Sequence, residues 1–194
     1  MTVLPARTAL LLVDVQQAFL EMEKAGRRRN NPLALRNIAR LLGAFRGHGM
    51  AVFHIRHASR EPDSLLRPER SGYQPIEEAR ERPGEPVVVK HVNSAFIGTD
   101  LEKRLREGGH DTLVIAGITT NHCVETTTRM AGNLGFDARP ASDACYAFDR
   151  IGYGGRTESA EAIHEMTLSN LDGEFARIET TDTVVAALSN SAAA

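Results

Sequence analysis

The chain has 194 residues, 42% of them hydrophobic, which suits one α/β domain with a proper core and excludes a disordered or fibrous protein. A formal net charge of −2, with both signs scattered along the chain, leaves no electrostatic footprint for nucleic acid. No apolar run approaches the roughly 18 residues of a membrane span, and two cysteines make no disulfide framework.

The start of the chain lacks a signal peptide's basic segment and small-residue cleavage site, so the expected compartment is the reducing cytoplasm. Residues 8–13 form a continuous apolar run closing at Asp14, as a strand buried on both faces should. Helical spacing of Leu35, Ile38, Leu41, Leu42 and Phe45 predicts a helix over 33–45, stopped by Gly47 and Gly49. A strand over 51–55 precedes a polar stretch, 58–86, carrying five prolines. The short apolar strand 87–89 ends at Lys90. Thr99 and Glu102 are spaced as a capping box for a helix closing at Gly108 and Gly109.

Residues 112–116 read as a further buried strand, turned by 117–122 into a helix beginning near Cys123. A strand over 136–140, a helix over 156–171 and a strand over 175–178 complete the alternation. Strands separated by helices, with none joined by a tight hairpin, predict a mostly parallel sheet covered on both faces. There is no internal repeat and no linker, so 1–194 reads as a single domain with 189–194 as a frayed tail.

In open α/β sheets ligands bind at the carboxyl ends of strands. Asp14, Lys90 and Cys123 all sit at such ends, and the usual phosphate-binding and serine-elbow signatures are absent. With Thr120 or Asn121 as the cap, Cys123 falls in a first helical turn. Unpaired amides and a nearby Lys90 then favour its thiolate, and Asp14 can accept its proton. Each residue also has a plainer reading: a small buried cysteine, a loop-capping aspartate, a solvated lysine. Their joint occurrence at three strand ends favours chemistry. Cys145 has neither helix terminus nor charged neighbour and reads as structural.

Three segments carry a family resemblance: Asp14-Val15-Gln16-Gln17-Ala18-Phe19; Lys90 with Ser94-Ala95-Phe96; and Gly117-Ile118-Thr119-Thr120-Asn121-His122-Cys123-Val124-Glu125. Together they resemble the isochorismatase-like cysteine hydrolases, which include nicotinamidases, N-carbamoylsarcosine amidases, ureidoacrylate amidohydrolases, streptothricin hydrolase and true isochorismatases. The resemblance implies a three-layer α/β/α Rossmann-like fold with a six-stranded parallel sheet, order 3-2-1-4-5-6, and a homo-oligomer, dimer or tetramer. It implies a cis peptide between Ile118 and Thr119. It also implies catalysis by Asp14, Lys90 and Cys123, with backbone amides of Thr119 and Cys123 as the oxyanion hole.

Metal-carrying relatives place an aspartate and histidines beyond the second strand. Here that stretch reads His54-Ile55-Arg56-His57-Ala58, and in a strand His54 and His57 point to opposite faces. No metal and no other cofactor is therefore expected. True isochorismatases cleave a vinyl ether without needing the cysteine, so Cys123 points to an amide, ureido or lactam C–N bond in a small molecule. The alternatives are vinyl-ether hydrolysis by Asp14 without covalent catalysis, and a non-catalytic oligomeric binding protein. Phe19 and Phe96 match substrate-facing positions of relatives, and His122 and Gln16 are further pocket candidates, with Tyr146 behind them. Arg27, Arg28 and Arg29 read as a solvated loop, an anion-binding element or a contact to a neighbouring subunit.

Overall fold

A computed structural model describes residues 4–191. Its main sheet has five parallel strands in the order β3-β2-β1-β4-β5: β1 Thr8–Val13, β2 Ala51–His57, β3 Val87–Lys90, β4 Thr112–Ile118 and β5 Asp137–Tyr146. Every residue of β1 and β4 is buried, which explains why neither run alternates apolar with polar. Period-two geometry sends Leu10 and Leu12 into one core with Ile38, Leu41 and Phe45 of α2 (Ala34–Gly47) and with Val184 and Leu188 of a C-terminal helix. Leu11 and Val13 enter the opposite core with Leu101 and Leu105 of α3 (Leu101–Glu107) and Ala131 of α4 (Glu125–Asn133). The result is three layers, α/β/α. A short helix α1 (Gln17–Lys24) follows β1. Among the described residues no helix is long and apolar enough to cross a membrane.

The sheet falls one strand short of the expected six, and Pro140 explains why. Residues 177–179 lie alongside β5: Arg177 N donates to Ala138 O (3.0 Å), Glu179 N to Pro140 O (3.0 Å) and Ser142 N to Glu179 O (2.9 Å). The rung between these bonds would need an N–H from residue 140, which proline lacks, so the pairing survives only as the isolated bridge Ala141–Glu179.

Other boundaries also move. A tight antiparallel hairpin, β6 (Arg150–Ile151) with β7 (Thr157–Glu158), occupies residues expected to be loop and helix. α5 (Ala160–Leu171) consequently starts four residues late, where Ser159 Oγ accepts from Ala162 N at 3.2 Å. The capping box at α3 does not form. Thr99 Oγ1 donates to Ala95 O (2.6 Å), Glu102 pairs with Arg106, and Asp100 takes the N-cap position. α6 (Thr181–Ser191) was not expected at all, and it makes residues 189–191 of the presumed tail helical; 192–194 lie outside the described residues.

Gly117 allows the two central strands to end together. It pairs with Val13 at φ +141°, and a Cβ there would lie 2.0 Å from Val13 O. Strain and clash act at the same point. Gly117→Ala is expected to destabilise the fold by more than about 2 kcal/mol, read as a lower urea midpoint with an unchanged m-value; a wild-type midpoint would refute the close approach.

Candidate active site

Asp14 immediately follows β1. Its backbone takes the left-handed conformation, φ +53°, tolerable for aspartate, and its N–H is tied to Ile55 O at 3.0 Å. Lys90, the last residue of edge strand β3, stands in register with His57, the last of β2. Its side chain reaches across β2 and is completely buried. The ammonium has four neighbours: Asp14 Oδ2 at 2.8 Å, His57 Nδ1 at 3.0 Å, Val92 O at 3.2 Å and Cys123 Sγ at 3.2 Å. The aspartate, lysine and cysteine singled out in the sequence therefore meet at one point. Asp14 Oδ1 is buried and has no hydrogen-bond partner among the described residues.

Cys123 does not lie in an ordinary first helical turn. Thr120–Val124 form a wide π-type turn ahead of α4, with Thr119 at the N-cap position and no side-chain cap. Thr120 Oγ1 meets His164 Nδ1 at 2.8 Å, and Asn121 lines the cleft, so neither caps the turn. The peptide Ile118–Thr119 is cis. Burial, followed by the adjacent Asp14 carboxylate, pushes the Cys123 thiol up to about 12, with Lys90 pulling the other way. This corrects the expectation of a resting thiolate: the nucleophile candidate is held as a neutral thiol beside a carboxylate. Burial, then the Lys90 charge, pushes His57 down. Its neutral ring accepts from Lys90 at Nδ1 and so carries its hydrogen on Nε2.

These residues open into a cleft of about 490 Å³. Ile118, Thr119 and Phe19 line it, and Phe19 stacks on Phe148 with ring centres 6.4 Å apart. His122 lines it too, 3.4 Å from Arg150. Two other candidates do not reach the cleft. Phe96 is core, stacked on Phe136 at 5.9 Å. Gln16 is structural: its Nε2 donates to His57 O (3.1 Å) and Tyr73 O (2.9 Å), and its Oε1 accepts from His57 N (2.8 Å). Tyr146 is likewise buried, its hydroxyl 3.3 Å from Glu23. Of the arginine run, Arg27 lines the cleft, Arg28 pairs with Asp149 and Glu161, and Arg29 pairs with Glu23.

Among the cleft residues that escaped the sequence reading are His57 and Arg150. His57 was weighed only as a metal ligand, although its place at the end of β2, between β1 and β3, was a usable signal. Arg150 carried none. Asp14, His57 and Cys123 bring potential metal-binding atoms within 4.8 Å of one another. Lys90 Nζ contacts all three residues, so the cation they share is this ammonium. His54 turns to the other face and meets Glu85 at 2.8 Å.

Residues 8–183 match the isochorismatase domain. The chain belongs to the isochorismatase family. It is 43% identical over 179 residues to the isochorismatase family protein YrdC of Bacillus subtilis strain 168, covering 92% of this chain and 95% of that one. A crystal structure of an isochorismatase-family protein from Chromobacterium violaceum superposes with a TM-score of 0.92 at 44% identity, covering 98% and 97% of the two chains. The ureidoacrylate amidohydrolase RutB of Variovorax paradoxus is 30% identical over 226 residues, covering 94% of this chain and 86% of that one. This family membership makes the chain a hydrolase of the isochorismatase family.

The neutral thiol gives a signed pH expectation. Iodoacetamide should alkylate Cys123 slowly near pH 7, and the rate should still be climbing above about pH 10. Asp14→Asn removes the charge that raises the thiol and should speed alkylation at neutral pH, whereas Lys90→Met should slow it. Mass spectrometry of the modified peptide follows both; a rate that levels off below about pH 8 would show a resting thiolate instead.

Proposed function

We propose that this protein is a cysteine hydrolase that cleaves the C–N bond of a small amide, ureide or lactam. The observation that carries the reading is the unpartnered Asp14 Oδ1, buried beside a neutral Cys123 thiol, while Lys90 engages the other carboxylate oxygen. A carboxylate with one oxygen neutralised and one free is suited to take a proton at the moment of attack. The kinship with an amidohydrolase supports C–N chemistry over vinyl-ether cleavage.

The reaction runs in two halves. Cys123 Sγ attacks the carbonyl carbon as its proton passes to Asp14 Oδ1, forming the S–C bond. The oxyanion meets backbone N–H groups of Thr119 and Cys123. Protonated Asp14 gives its proton to the leaving nitrogen as the C–N bond breaks, leaving a thioester. Asp14 then deprotonates a water that attacks the thioester, and the returning proton restores the thiol. Lys90 keeps its proton throughout and steadies whichever anion is present. His57 adds a fixed N–H donor at the cleft wall.

Cys123→Ala should lower turnover of amide substrates by about a thousandfold or more, while Cys145→Ala, altering a buried core position, should retain activity. Reactions quenched with acid should carry an acyl group on Cys123 by mass spectrometry. Full activity in Cys123→Ala would refute covalent catalysis and favour acid-assisted vinyl-ether hydrolysis by Asp14.

A further inference from the structure

We infer that His164, which lies outside the cleft, is a positioning residue for the nucleophile: its Nδ1–H donates to Thr120 Oγ1 at 2.8 Å and so fixes the turn that aims Cys123. For turnover this rests on the cysteine-hydrolase reading; for the placement of the thiol it does not. The turn needs such a hold. It has no side-chain cap, and its hydrogen bonds are those of a wide coil. Thr119 O accepts from His122 N (3.2 Å) and Val124 N (3.3 Å), and Thr120 O accepts from Glu125 N. Cys123 therefore lies inside rings that close on Thr119 and Thr120. Whatever holds Thr120 also holds Cys123 Sγ opposite Lys90, together with the amides assigned to the oxyanion.

His164 acts from a fixed base. It belongs to α5, whose first turn is tied twice: Ser159 Oγ accepts from Ala162 N (3.2 Å) and Asp149 Oδ1 from Ala160 N (2.7 Å). The ring is 7% exposed and Thr120 not at all, so water does not compete for their bond. The direction of that bond follows from the far side of the ring. Asn31 Nδ2 donates to Cys145 O (2.6 Å) and Ser142 O (3.0 Å), which fixes it as the amide nitrogen, and it lies 3.4 Å from His164 Nε2. A hydrogen on Nε2 would point at this donor, so Nε2 keeps its lone pair and Nδ1 carries the hydrogen. Burial pushes the ring's pKa down and keeps it neutral. His164 lines a second cavity of about 410 Å³, with Asn31, Ser142 and Asp143, rather than the cleft, so it acts on a substrate only through Thr120.

The pH profile of iodoacetamide alkylation, followed on the Cys123 peptide, reads the hold directly. With the turn released the thiol loses its burial beside Asp14, and its apparent pKa should fall toward the ordinary thiol value of about 8.5. His164→Leu and Thr120→Val, both without the hydrogen bond, should each show this fall, with alkylation near pH 7 at least about tenfold faster. Combined, they should shift the profile no further than either alone, because both remove one bond. His164→Asn, which sets an amide N–H where Nδ1–H stood, and Thr120→Ser should keep the wild-type profile. A bond serving stability alone would lower the urea midpoint of the first two variants and leave the profile of the folded protein unchanged, and that result overturns the inference. So does a His164→Asn profile equal to that of His164→Leu. If His164→Leu does not fold, Thr120→Val and Thr120→Ser decide alone. On amide substrates the two bond-deleting variants should lose about tenfold or more in kcat with KM little changed. A shifted profile with no amide hydrolysed supports the hold and counts against the amidase reading alone. An unshifted profile with Cys123-dependent hydrolysis overturns the hold and leaves that reading intact.

Discussion

A lysine ammonium with no exposure to solvent governs this structure. Burying such a charge costs several kcal/mol unless ion pairing and hydrogen bonds replace its water. Asp14, His57, Val92 and Cys123 provide that replacement, and each comes from a different place in the fold. Asp14 follows the central strand, His57 ends β2, Val92 follows β3, and Cys123 lies in the turn after β4. Losing either ionic partner would strand the other charge in the interior. The register of four strands, the left-handed backbone at Asp14 and the glycine at 117 thus all serve one tetrad of side chains, Asp14, His57, Lys90 and Cys123.

The tetrad also explains how the thiol is stored. A thiolate beside Lys90 would add a second anion next to Asp14 in a site with one cation. Keeping Cys123 protonated leaves one negative and one positive charge, the cheapest combination to bury. In the proposed reaction the reactive anion is then generated only when a carbonyl carbon is there to receive it. His57, neutral by burial and by the neighbouring ammonium, adds a dipole without adding charge.

Much of this was legible in the sequence because the tetrad's members end apolar strands. An aspartate, a lysine and a cysteine closing β1, β3 and the β4 turn point both to a parallel sheet and to the edge where these side chains gather. What escaped has local causes. α6 buries Val184, Ala187 and Leu188 among threonines and serines, too small an apolar stripe to stand out. The sixth strand was real in direction but lost a rung to a proline whose missing N–H matters only once its partner is known. Phe96 and Gln16 show the limit of carrying roles by resemblance. A phenylalanine near the cleft stacks in the core, and a glutamine beside the key aspartate spends its whole amide on backbone. Arg150 had no sequence signal because its segment is brought to the cleft by pairing with a loop more than a hundred residues earlier, at the Arg29–Phe148 bridge.

Charge is divided between two environments in the cleft, and the division has a functional consequence. Lys90 and Asp14 are sealed from solvent, where counter-ions cannot screen them, so the proton-transfer balance at Cys123 is insulated from ionic strength. Arg27, on the loop after α1, and Arg150, at the start of β6, stand exposed and feel the surrounding salt fully. The strand ends hold Asp14, Lys90 and Cys123 in a fixed, overall neutral cluster, while the loop after α1 and the hairpin after β5 carry the exposed arginines of the cleft. Loops tolerate substitution where a buried ion pair does not. A change at an exposed arginine of the cleft can therefore leave the buried cluster untouched.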